Sequence, residues 1–186
     1  MKAGHLALLL VFAALPAWAA PVAWQARPGA SRLGFTAYWQ GQPVKGRFPQ
    51  FQMTARLDPA HPAGGSIKLE IDTAKLTTQS PDIARAMRGK AWFDVKDYPK
   101  ASFTSESLTK KADDKFRLSG QLRLKGHEKT VSFPLEITQD NGKLKLAGTL
   151  TLDRDDFAIG TGRWAHDKMI AQKVNVAFSL VLARGD

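Results

Sequence analysis

From Ser31 to the end of the chain, apolar side chains recur at every second residue, and that period limits what the chain can fold into. Leu33, Phe35, Ala37 and Trp39 share one parity. Ile67, Leu69 and Ile71 do the same, with Lys68, Glu70 and Asp72 on the other side. Phe116, Leu118, Leu122 and Leu124 repeat the pattern, with Gly120 in place of one apolar group. Val131, Phe133, Leu135 and Ile137 follow, then Leu144, Leu146, Leu150 and Leu152, and finally Val174, Val176, Phe178, Leu180 and Leu182. Successive side chains of a strand point to opposite faces, so these runs are strands with one buried and one wet face.

The breaks between runs carry turn chemistry: Pro62-Ala63-Gly64-Gly65, Lys125-Gly126-His127 and Asp140-Asn141-Gly142. The spacing predicts an all-β fold, an antiparallel sandwich or barrel of about eight or nine consecutive strands. A meander with a single apolar face has exposed edges, and closure into a barrel removes them. One connection is not strand. Ser80 reads as an N-cap, Pro81 as the first helical position and Gly89 as the stop, which predicts a short helix around Ile83, Ala84, Ala86 and Met87. Such a helix either lids the barrel or fills space beside it.

With 186 residues, 44% of them apolar and 24% charged, the chain has room for one globular domain and no sign of a repeat or linker. Cysteine is absent, which removes disulfide frameworks, thiolate metal sites and cysteine nucleophiles. The apolar run Leu6–Leu15 after Lys2, followed by Ala17-Trp18-Ala19, has the layout of a secretory signal peptide. Cleavage is expected after Ala19, leaving residues 20–186 as the exported domain.

The net charge of +10 is spread along the wet parity, as in Lys68, Arg117, Arg123, Lys143 and Lys145, and never forms a run of five. No helix-turn-helix or RNP-like aromatic motif accompanies it, so nucleic acid is not the expected partner. A cationic surface would instead favour an anionic membrane surface, or an anionic head group at a barrel mouth.

Catalytic chemistry finds no footing. His61, His127 and His166 are far apart, and no HExxH or HxH pair occurs. His166 with Asp167 is too little for a metal site. Asp153, Asp155 and Asp156 fail as a calcium loop, because Phe157 and Ile159 stand where oxygen ligands are needed. Gly160-Thr161-Gly162 lacks the third glycine and the βαβ unit of a dinucleotide site, and no serine sits in a GxSxG elbow. Neither enzyme activity nor a metal or catalytic cofactor is expected.

Ten Phe and five Trp remain to be explained. A barrel of about eight strands is at the size where the interior is either packed solid or hollow enough for one small ligand. Small residues at inward or nearly inward positions, Gly120, Gly148, Ala37 and Ala101, are expected to leave space.

The ordered landmarks resemble the YceI-like family. They are Ser31-Arg32-Leu33-Gly34-Phe35, Val44-Lys45-Gly46-Arg47-Phe48 with Phe51, Trp92-Phe93-Asp94-Val95-Lys96-Asp97-Tyr98-Pro99 leading to Ala101-Ser102-Phe103-Thr104-Ser105, Gly120-Gln121-Leu122-Arg123-Leu124-Lys125-Gly126, and Asp153-Arg154-Asp155-Asp156-Phe157-Ala158-Ile159-Gly160. The resemblance implies a lipocalin-like antiparallel barrel in the bacterial periplasm. It also implies an isoprenoid lipid as ligand, with its chain in an apolar tunnel and its quinone or phosphate head near a mouth. Gly160-Thr161-Gly162-Arg163-Trp164 looks closest to relatives found with membrane cytochrome b proteins, which makes such a cytochrome a candidate partner. The family's charged Arg-Asp-x-His stretch is replaced here by Pro81-Asp82-Ile83-Ala84-Arg85-Ala86, so the resemblance by itself does not assign that stretch a head-group role.

The expected lining is the inward parity: Phe35, Trp39, Phe48, Ile71, Phe103, Leu122, Phe133, Leu150 and Phe178. Arg85, Arg88, Arg154 and Arg163 are the candidates for an anionic head group. Two functions follow, a periplasmic carrier of an isoprenoid lipid or a solid-core interaction module beside a membrane cytochrome. Monomer and homodimer both stay open.

Overall fold

A computed structural model describes residues 22–185, apart from 59, 166 and 167. The expected signal peptide with its cleavage after Ala19, and the His166-Asp167 pair, lie outside the described residues.

The alternating runs become strands β1 (Val22–Ala26), β2 (Arg32–Trp39), β3 (Gln42–Arg47), β4 (Phe51–Leu57), β5 (Ser66–Asp72), β6 (Thr77–Thr78), β7 (Lys100–Lys110), β8 (Lys115–Leu124), β9 (His127–Asp140), β10 (Lys143–Asp153) and β11 (Lys173–Arg184). The single α-helix among the described residues, α1, spans Pro81–Arg88 between β6 and β7. Every strand pairing is antiparallel. β1 and β2 are halves of one strand bent at a short 3₁₀ turn, Pro28–Ala30. β3 and β4 are likewise parted at Phe48-Pro49-Gln50. The sheet closes because β11 pairs with β10 on one side and with both halves, β1 and β2, on the other. The result is an eight-stranded antiparallel barrel with one helix, as the alternation predicts.

Three hairpins share one turn geometry. Gln40-Gly41, Lys125-Gly126 and Asn141-Gly142 each place two successive residues at positive φ, with the glycines between 72° and 75°. That is the two-residue turn whose twist matches the strands it joins. α1 begins and ends at the expected Ser80 and Gly89, with Pro81 opening the first turn.

The two ends of the barrel differ. At the end holding both termini of the barrel, Trp24, Leu57, Leu144 and Leu182 are at most 1% exposed, and Trp24 Nε1 donates to the Leu57 carbonyl at 3.1 Å. Burying these side chains contributes about 1.5–3 kcal/mol each and seals that end. The other end is covered by the two long connections, 73–99 and 154–172.

One pairing is incomplete. β9 and β10 are joined from Asp140–Lys143 to Leu135–Gly148, and their ladder stops there. β9 stays fully paired with β8, and β10 with β11, over the same stretch. Pro134, which has no N–H for a ladder, stands at the fork.

Candidate ligand cavity

Inside the barrel lies a cavity of about 480 Å³, within the roughly 300–1,000 Å³ of small-molecule pockets. Phe35, Trp39, Phe48, Ile71, Phe103, Leu122, Phe133, Leu150 and Phe178 all line it, and so do Ala37 and Ala101. Strand parity brings them together, since one face of every strand points inward. Two aromatic groups stand in the wall. Phe48 lies 5.5 Å from Phe35 and 5.9 Å from Phe93, between ring centroids. Phe133 lies 5.7 Å from Phe103 and 5.9 Å from Phe178.

The two inward glycines, unlike Ala37 and Ala101 on the cavity wall, act differently from expectation. A Cβ on Gly148 would stand 2.7 Å from Phe178 Cζ, and one on Gly120 would run into the Thr104 carbonyl oxygen and stand 2.8 Å from Phe103 Cζ. Gly46 faces Phe35 across the β2–β3 pair, and the tip of that ring fills its Cβ position. These glycines leave no empty pockets. They let phenylalanine rings settle against the wall, which clears the space between them.

The roof comes from segments without a period. α1 supplies Ile83, Ala86 and Met87, the segment after it supplies Trp92 and Phe93, and the β10–β11 connection supplies Phe157, Ile159, Trp164 and Ile170. The two connections are stitched together. The Ala91 carbonyl accepts from Gly160 N and Thr161 N, both at 2.8 Å, and Trp92 packs 5.8 Å from Trp164. Lys125 is buried, and its Nζ donates to the Ala158 carbonyl at 2.7 Å. Burial pushes its ammonium below the ordinary lysine value, with Asp94 pulling the other way.

The four arginines have separate places. Arg154 is 4% exposed and lines the cavity. One of its guanidinium nitrogens donates to the Ile159 and Gly160 carbonyls at 2.8 and 3.2 Å and pairs with the Asp155 carboxylate at 3.1 Å, while its Nε has no partner among the described residues. Arg163 is exposed on the β10–β11 connection and does not line the cavity; its guanidinium carbon stands 4.6 Å from the centre of the ring of Trp164, which does. Arg88 holds the Leu76 carbonyl at 2.9 Å, and Arg85 is exposed on α1 beside Asp82 at 3.3 Å. The acids expected not to bind calcium are engaged elsewhere. Asp153 caps the following turn and pairs with Lys173 at 3.0 Å, and Asp156 pairs with Lys129 at 3.2 Å. Among the described residues no group of three His, Asp or Glu side chains could hold a metal ion.

Such a site can hold a long apolar molecule. Each methylene taken from water contributes about 0.8 kcal/mol, and a guanidinium at the lining offers charge to a polar end.

Comparison with known proteins agrees with this geometry. The barrel superimposes on the crystal structure of Burkholderia cenocepacia BcnA with a TM-score of 0.81 at 30% identity, covering 84% of this chain and 98% of that one. It shares its fold with a polyisoprenoid binding domain from Saccharophagus degradans, with a TM-score of 0.72 at 19% identity over 88% of this chain and 99% of that one. A UPF0312 protein of Vibrio cholerae is 29% identical over 122 residues, 62% of this chain and 65% of its own length. The YceI-like domain model matches residues 24–182. The chain belongs to the YceI-like family.

Proposed function

We propose that this protein is a periplasmic carrier for an isoprenoid lipid, a quinone or polyprenyl compound whose chain lies in the cavity. The observation that carries the reading is the hollow, almost wholly apolar interior. A solid-core interaction module would have filled it. The domain of S. degradans named for polyisoprenoid binding shares the fold and supports the same ligand class. Arg154, in the lining, and Arg163, stacked on the lining residue Trp164, are the head-group contacts in this reading. The N-terminal sequence supports export to the periplasm, and among the described residues no helix is long and apolar enough to cross a membrane.

A membrane surface is the natural source of such a ligand. Tyr38, Trp39 and Met169 are 37–48% exposed, with Met169 joined to Gln40, next to Trp39, by a backbone hydrogen bond of 2.6 Å, and Lys168 precedes Met169 in the chain. Aromatic residues beside cations suit the interface of an anionic bilayer.

Native mass spectrometry of the protein taken gently from its own host, followed by organic extraction, tests the carrier reading. The expected result is a discrete added mass that extracts as a polyprenyl compound. A bare protein that stays bare after incubation with quinones and polyprenyl phosphates overturns it.

A further inference from the structure

The register that joins Asp140 to Lys143 and Leu135 to Gly148 would, if continued, set Phe133 opposite Leu150 and Val131 opposite Leu152. Those rungs are not formed. A groove of about 530 Å³ opens between the strands instead. Its walls are polar, with Ser132, Thr149, Thr151 and the charged Lys129, Asp156 and Lys173, while at its floor lie inward side chains, Val131, Phe133, Leu150 and Leu152, that also line the main cavity. Where the ladder is intact, the inward Leu135, Ile137, Leu144 and Leu146 are buried, whereas Val131, Leu150 and Leu152 are only half-buried. Groove and cavity therefore share one set of apolar side chains.

Unpaired strand edges normally find a partner, and a barrel gains by zipping them together. Here the edges face each other without pairing, and the Lys129–Asp156 ion pair spans the outer end at 3.2 Å. Both side chains are about half exposed, so the pair is a weak tie that opens at little cost.

We propose that the β9–β10 seam is a lateral opening of the ligand cavity, through which the apolar chain of a long isoprenoid leaves the barrel wall. This rests on the carrier reading. Short chains are held inside, and chains too long for the cavity lie along the groove over Val131 and Leu152.

The chain has no cysteine, so introduced thiols report on single places. In the double variant Ser132→Cys/Thr151→Cys the two positions would face each other across the seam, and a bismaleimide joins them. Geraniol and solanesol, delivered on cyclodextrin, serve as short and long probes. The expected result is unchanged geraniol binding and about tenfold slower solanesol uptake after crosslinking. The single variant Ser132→Cys needs no closure. Its maleimide labelling should slow with solanesol bound and not with geraniol, while Thr109→Cys on β7 is unaffected by either. Solanesol uptake indifferent to the crosslink, with unprotected labelling, overturns the lateral opening and leaves the carrier reading intact. Failure of the unmodified chain to bind either alcohol overturns both.

Discussion

The tip of the Phe35 ring occupies the place that a Cβ on its cross-strand partner Gly46 would take. A methyl group there must push the ring toward the lumen or spread β2 from β3. Gly46→Ala should therefore cost about 1–3 kcal/mol as overpacking, visible as a lower denaturant midpoint at unchanged slope. Phe35→Leu in the same background should recover part of the loss. A Gly46→Ala protein as stable as wild type would show that the ring has free room.

The same relation lets the cavity be filled on purpose. Leu122 is half-buried and points into the lumen from β8. Leu122→Trp adds a large apolar group to space that is otherwise open. Prenyl-alcohol affinity should fall about tenfold or more, with the melting temperature within a few degrees of wild type. Calorimetric titration beside a thermal melt checks both. Equal affinity would mean that the ligand lies elsewhere.

Acid stability carries a mark of the β10–β11 edge. Lys173 beside Asp153, with the Asp155 backbone N–H, holds the Asp153 carboxyl below the ordinary carboxylate value. A depressed native pKa means that the unfolded chain takes up protons first as the pH falls. The contribution is therefore complete above the unfolded value and lost through the native one. Asp153→Asn should lower stability at neutral pH, and its gap from wild type should shrink as the pH falls through the carboxylate range. Urea melts across that range measure the gap, and a constant gap would exclude this origin.

The barrel was legible because period two reports directly which side chains share a face. Eight of the nine expected lining residues, from Phe35 to Phe178, stand on the cavity wall for that reason, and Phe48 joins them from the break just after β3. The roof was not legible in this way. Met87, Trp92, Phe157 and Trp164 sit on a helix and long connections, where no period signals an inward side, and their clustering depends on closure of the whole barrel. The role of Gly46, Gly120 and Gly148 was also out of reach, since only strand register shows which ring stands over each. The parting of β9 from β10 had one sign in the sequence, Pro134 inside an otherwise regular strand.

Arg154 and Arg163 separate a structural part from a head-group part. Arg154 is buried and ties the Ile159 and Gly160 carbonyls into the roof. Replacing it with Met leaves those carbonyls without a charged donor, so Arg154→Met should cost about 2–4 kcal/mol and weaken binding of every ligand through the roof. Arg163 is exposed and its guanidinium stacks on the Trp164 ring, so Arg163→Ala should change stability by at most about 0.5 kcal/mol. If it faces the head group, that variant should lose several-fold affinity for a polyprenyl phosphate and none for the matching alcohol. A matched loss for both ligands would assign Arg163 to the ordering of Trp164, through the stacked guanidinium, and leave the head group to Arg154.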